Sequence, residues 1–305
     1  INLAIGSRSG DTSYTDLKGD VHTINNKEID GAFGIVYESK VAAPSQEMDG
    51  FVKTKIDINQ FANNAVGIYP KNGTLKFNSL TDSEKTNFET SFAKAATKIP
   101  EADRKHEINI LGGKDNSALV VAKVDPAYVS NLEYYGDITI KDGIDADGNP
   151  SIGNKAIVAL EGGDVKFSGN LKLGESGSPV RQTAGIYSNK GLVTLQNEPN
   201  KPKTNLTMYM MQNSSGLYAK EQAAGGVANI KVNPDIDEMK FYGVGAGDDS
   251  VGVYSDRNGL IDISGVKLSG KNLASVLVTA NGGDIDATGA TISYDGDGYA
   301  LYSDA

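Results

Sequence analysis

The stretch Val253-Tyr254-Ser255-Asp256-Arg257-Asn258-Gly259-Leu260-Ile261-Asp262-Ile263-Ser264-Gly265 is followed, 24 residues on, by Leu277-Val278-Thr279-Ala280-Asn281-Gly282-Gly283-Asp284-Ile285-Asp286-Ala287-Thr288-Gly289. A third copy opens at Leu301-Tyr302-Ser303-Asp304. Within a copy, apolar residues alternate over short runs (Ile261 and Ile263, then Val266 and Leu268), and Gly, Asn or Asp closes each run. Alternation with period two between turn residues specifies short strands with one buried face. About three such runs fit in each copy. A unit this small cannot bury its apolar face alone, so successive copies must stack on one core. The pattern predicts an all-β chain: a right-handed, three-sided parallel β-helix.

Working outward, an aliphatic-then-tyrosine landmark recurs at Ile68-Tyr69, Ile186-Tyr187, Leu217-Tyr218, Val253-Tyr254 and Leu301-Tyr302, with degenerate copies at 34–37, 117–120 and 155–158. From position 158 through 187, 218, 254, 278 and 302 the steps are 29, 31, 36, 24 and 24, as expected of one coil length with loop insertions. The alternation predicts that Ile157, Ile186, Leu217, Val253, Leu277 and Leu301 form a buried ladder with the tyrosines outside. A second strand is expected after each landmark, with inward pairs at Leu75/Phe77, Ile108/Ile110, Val165/Phe167, Val193/Leu195, Ile230/Val232, Ile261/Ile263 and Ile285/Ala287. Nine to eleven coils at about 4.8 Å each predict a rod of roughly 45 to 50 Å.

The whole chain, 1–305, reads as one such segment with insertions at about 78–106 and 125–150. Thr81-Asp82-Ser83-Glu84 matches a capping box, and Phe88, Phe92 and Ile99 follow at helical spacing before Pro100, which predicts a helix over about Asp82 to Lys98. Further excursions are expected at 39–50 and 198–213. Loops on a rigid scaffold are where recognition concentrates. The second insertion carries Tyr128, Tyr134 and Tyr135, aromatics of the kind found at interface centres, and these are the candidate binding residues.

Composition narrows the chemistry. The 305 residues carry 29 Lys and Arg against 39 Asp and Glu, a net charge of -10 that repels phosphate backbones and argues against nucleic acid as a partner. There is no Cys, which removes disulfides, thiol catalysis and Cys-based metal sites. No apolar run approaches the roughly 20 residues of a membrane span. His22 and His106 are the only histidines, and no second His follows His106-Glu107 at metalloprotease spacing. Asp145-Ala146-Asp147-Gly148-Asn149 alternates oxygen ligands that could hold calcium; an EF-hand is excluded, since no Gly follows Asn149 and Ala156 stands where it needs Glu, and a turn rich in Asp, Gly and Asn is the commoner explanation. Gly243-Val244-Gly245-Ala246-Gly247 precedes Asp248-Asp249, which would repel a phosphate. Asp262 and Asp286 fall at equivalent positions of adjacent copies, about 4.8 Å apart if strands stack, close enough to share a proton or to read as a solvated polar face.

The repeated Val-Gly-Val-Tyr-Ser-Asp with Asn-Gly, followed by Gly-Leu-Ile-Asp-Ile-Ser-Gly-Val-Lys-Leu-Ser-Gly, resembles the passenger repeats of bacterial autotransporters, most of all the large fusobacterial outer-membrane adhesins. The resemblance covers about two thirds of the chain, best from Lys155 onward. It implies a cell-surface passenger, secreted and held at the outer membrane by a C-terminal barrel that this sequence lacks, so that the chain is a piece of something longer. It further implies a monomeric, non-enzymatic adhesin without cofactor or metal, whose partners are a host-cell surface protein or glycan, or another bacterium. A β-helix polysaccharide lyase or glycosidase, and a passive stalk, are the alternatives.

Overall fold

The computed structural model describes residues 2–6, 12–15, 21–24, 29–38, 47–48, 54–77, 106–199, 201–279 and 282–304. The predicted helix over Asp82 to Lys98 lies outside them. The described residues form strands and turns with no helix, hence none long and apolar enough to cross a membrane. A 25-stranded network dominates.

Pairing in that network is parallel and follows one rule over the better part of the chain. The strand Val251–Asp256 bonds Ser215–Lys220 on one side and Ser275–Thr279 on the other. Leu260–Asp262 lies between Ile230–Val232 and Asp284–Asp286, and Lys267–Lys271 between Met239–Tyr242 and Thr291–Asp295. Each strand thus bonds the third before it and the third after it, giving three interleaved families. The first has nine strands among the described residues, from Phe33–Glu38 to Tyr299–Ser303, or about 40 Å at the spacing of paired strands.

The register of the first family aligns Ile35, Ile68, Leu119, Ile157, Ile186, Leu217, Val253, Leu277 and Leu301 in one column. From Ile68 to Leu277 the column is buried, as the alternation requires, whereas Leu301, in a strand bonded on one side only, is 65% exposed. The second family aligns Leu75, Leu132, Val165, Val193, Ile230, Ile261 and Ile285. Ile108 and Ile110 are not in it. They belong to the third family, where Ile108 stacks between Ile56 and Ile138. The place expected for them in the second family is taken by Leu132 and Tyr134. The reason is that alternation shows a strand has a buried side but not which family it joins, and here the punctuation between strands is missing. Val66–Phe77 runs for 12 residues from the first family into the second, and Ser130–Ile140 for 11 from the second into the third.

Two expected excursions are therefore largely regular. The stretch 125–150 contains Ser130–Ile140, and 198–213 contains Asn205–Met211, whose Leu206, Met208 and Met210 are fully buried. Small residues precede the landmark aliphatics because that corner is narrow. A β-carbon on Gly252 would lie 2.8 Å from the Val276 carbonyl oxygen, and one on Gly185 2.6 Å from that of Gly216.

Asn116, Asn154, Thr183 and Ser214, buried at the entry to the first family, are bonded from level to level, whereas the hydroxyl of Ser250 next in the column has no partner among the described residues. Asn116 accepts the Ala65 N–H at its Oδ1 (2.9 Å) and donates its amide to the carbonyls of Ala62 (2.9 Å) and Gly112 (3.1 Å). Its own N–H goes to Asn154 Oδ1 at 2.9 Å. Thr183 and Ser214 continue the column, the Thr183 N–H reaching Ser214 Oγ at 3.2 Å. Such pairing is what lets a polar residue occupy a dry corner.

Candidate binding surface

Tyr134 and Tyr135 stand on a regular strand and are buried, 1% and 8% exposed. Tyr134 stacks on Phe167 with ring centroids 6.1 Å apart and planes 10° apart, and lies 5.9 Å from Phe77; burial pushes its phenol well above the ordinary range. Tyr134 stands with Leu132 in the inward column of the second family, and Tyr135 is the register partner of Ser168. Tyr128 alone of the three sits at the surface, half-buried in a turn where its N–H bonds the Asp125 carbonyl.

The acidic candidates serve their own turns. Asp262 and Asp286 are register partners, as expected. Asp262 Oδ1 accepts the N–H (3.0 Å) and hydroxyl (2.7 Å) of Ser264, with Lys231 Nζ 3.8 Å from its other oxygen. Asp286 Oδ1 accepts the Thr288 N–H at 3.0 Å, and hydrogen bonds from Thr288, side chain first and backbone second, hold its carboxyl below the ordinary value. Asp145 Oδ1 accepts N–H bonds from Asp147 (3.0 Å) and Asn149 (2.9 Å), closing a turn. Among the described residues no three His, Asp or Glu side chains gather as metal ligands. His106 is buried against Phe77 and Tyr134.

The outward tyrosines Tyr187, Tyr218 and Tyr254 form a continuous row, with ring centroids 5.2 and 4.9 Å apart. They are self-packed: the rings are tilted against one another, and Tyr218 donates its hydroxyl to Asp256 Oδ2 at 3.3 Å. Burial raises all three phenols, most of all Tyr218, to which the Asp256 carboxylate adds. Tyr302 is separated from the row by Val278.

A second aromatic pair went unread in the sequence. Tyr209 and Tyr242, register partners in the third family, stack face to face at 4.5 Å and 12°. The signal was present in Met208-Tyr209-Met210 and Phe241-Tyr242, where each tyrosine follows an inward residue and so points out. Both line a groove of about 340 Å³ whose other walls include Glu175, Pro179, Lys271 and Asn272. The 174–179 turn is fixed by reciprocal N–H to carbonyl bonds between Glu175 and Ser178. On the far side, Asp248 Oδ2 accepts the Val244 N–H at 3.0 Å and closes the glycine-rich 243–248 loop, which is a bend as its sequence predicts. Two further grooves adjoin, of about 260 Å³ around Tyr242, Lys271 and Asp295, and about 240 Å³ around Asp248, Asn272 and Asp297. The first hollow shares Tyr242 and Lys271 with the second and Asn272 with the third, so the three lie side by side along this corner.

In comparison with known proteins, the chain matches no protein-family model, no curated protein and no solved structure.

Proposed function

We propose that the chain is a right-handed, three-sided parallel β-helix from a bacterial autotransporter passenger, and that it works at the cell surface as an adhesin segment. In this reading it attaches to a host-cell protein or glycan, or to another bacterium, without cofactor or chemical step, and is held at the outer membrane by a barrel outside this sequence. The observation that carries the reading is the pairing rule, each strand bonding the third before and the third after over level upon level. That arrangement suits a rod presenting a long side surface. The repeat units Val251–Asp256 and Leu260–Asp262, with their resemblance to fusobacterial adhesin repeats, support the assignment to a passenger. The absence of Cys suits a chain that crosses an outer membrane unfolded. A non-catalytic role is supported by the acidic pair, whose carboxylates are engaged in their own turns.

The test is adhesion of the 305-residue chain displayed on beads to epithelial cells and to unrelated bacteria, with a polysaccharide-cleavage assay in parallel. Saturable adhesion without cleavage is expected. Cleavage, or beads that adhere no better than uncoated ones, would overturn the reading, and a left-handed coil in a crystal structure would overturn its fold.

A further inference from the structure

We propose that the groove walled by Tyr209 and Tyr242 binds a neutral oligosaccharide. The proposal deepens the adhesive reading and rests on it for its biological purpose. Its chemical basis is independent of that reading.

Three features of the site select this ligand class. The first is shape. A hollow of about 340 Å³ lies in the range of small-molecule sites, and its continuation into one neighbour through Tyr242 and Lys271 and into another through Asn272 suits a chain of linked units better than a single small molecule. The second is the wall. Tyr209 and Tyr242 hold each other rigid at 4.5 Å, so they present aromatic surface and two phenol hydroxyls with little side-chain freedom left to lose. The C–H faces of a pyranose ring pack on such surfaces while its hydroxyls reach the rim. The third is charge. Glu175 and Lys271 face the same groove with opposite sign, and Lys271 is tied to Asp295 at 3.0 Å, so the lining offers acceptors and donors without a net field. Polyanions are disfavoured by the overall charge of -10 and by Asp248, Asp295 and Asp297 in the adjoining hollows.

Backbone geometry shapes the groove wall. A β-carbon on Gly174 would sit 2.7 Å from the Tyr209 carbonyl oxygen, so the backbone of the 174–179 turn comes close to that of Tyr209 at the groove wall. Asn272 has φ +55°, a conformation Asn tolerates, at the bend where all but one of the grooves meet.

The experiment uses the whole chain and an immobilised array of neutral hexose and N-acetylhexosamine oligosaccharides, each beside its sialylated or sulfated counterpart. Binding to neutral tri- to pentasaccharides is expected, at least tenfold weaker for Tyr242→Leu and Lys271→Gln. Asn272→Gly, which keeps the positive φ available while removing the amide, is expected to weaken binding with an unchanged thermal melt. Retention of no neutral oligosaccharide, preference for the charged forms, or undiminished binding by all three variants would overturn the proposal. Cell adhesion measured on the same proteins separates the two readings: adhesion without any glycan binding removes this site alone, whereas glycan binding without adhesion leaves the site standing and removes the adhesive role.

Discussion

The ring of Phe241 occupies the space that a side chain on Gly216 would need. A β-carbon there would run into the Phe241 Cε1 edge and the Gly252 carbonyl, so an inward aromatic of the third family is accommodated by a glycine column in the first. Gly216→Val is therefore expected to destabilise the chain by about 1 to 3 kcal/mol through overpacking. Phe241→Leu in the same chain should restore part of that loss, although the Gly252 carbonyl remains. Urea unfolding of the single and double variants decides it, and additive effects would show that the two residues are not coupled.

Val253 and Leu301 stand in one register column but differ in burial. Val253→Ala should cost about 1 to 3 kcal/mol from lost burial and a residual cavity. Leu301→Ala should stay within about 0.5 kcal/mol, as surface substitutions do. Equal losses at the two positions, measured by thermal melts, would contradict the observed burial.

Asn116 is an all-polar joint in a dry corner, bonded to Ala65, Ala62, Gly112 and Asn154. Replacing it with Leu leaves the Ala65 N–H without its acceptor, and a loss of about 1 to 3 kcal/mol is expected for each buried group left unsatisfied. Amide hydrogen exchange should show the first effect at Ala65. Unchanged protection there would rule out the role assigned to the side chain.

The phenols of Tyr134, Tyr187, Tyr218 and Tyr254 are raised, chiefly by burial. A folded value above the unfolded one, ordinarily 10.0, means stability that is complete below pH 10 and is lost as pH rises through the folded values. Phenolate absorbance from these four should therefore appear as a late stage above pH 10, accompanied by loss of circular dichroism. Simple titration of every tyrosine near its ordinary value, with structure intact, would refute this. Tyr218→Phe should remove one late phenol without removing the stage.

The repeat from Val251 to Gly289 made the first-family column legible residue by residue, because a copy 24 residues later shows which positions must share an environment. The second family was legible wherever Gly or Asn punctuated the strands, and was misassigned at Ile108 and Ile110, where uninterrupted strands left nothing to count. Tyr134 was misplaced for the same reason. Flanked by Asp and Gly, the segment looked like a loop, yet Leu132-Glu133-Tyr134 alternates as regularly as Val165-Lys166-Phe167, with which it pairs. That Tyr209 and Tyr242 point outward was legible from the inward residues they follow, but their pairing was not, because only the register of the third family brings the rings to 4.5 Å.

The rule by which each strand bonds the third before and the third after has a consequence for how such a chain can change. Recombination between two equivalent points, such as Leu217 and Val253, excises one whole turn and leaves edges that still match. In the proposed β-helix this would shorten the stack by about one strand spacing with its columns intact. The groove does not share this tolerance. Its walls come from Glu175, Tyr209, Tyr242 and Lys271, on successive levels, and the same excision removes Tyr242 while bringing Lys271 beside Tyr209. Length in this architecture is therefore free to drift in whole steps, while a binding site written across several steps is inherited only as an unbroken run.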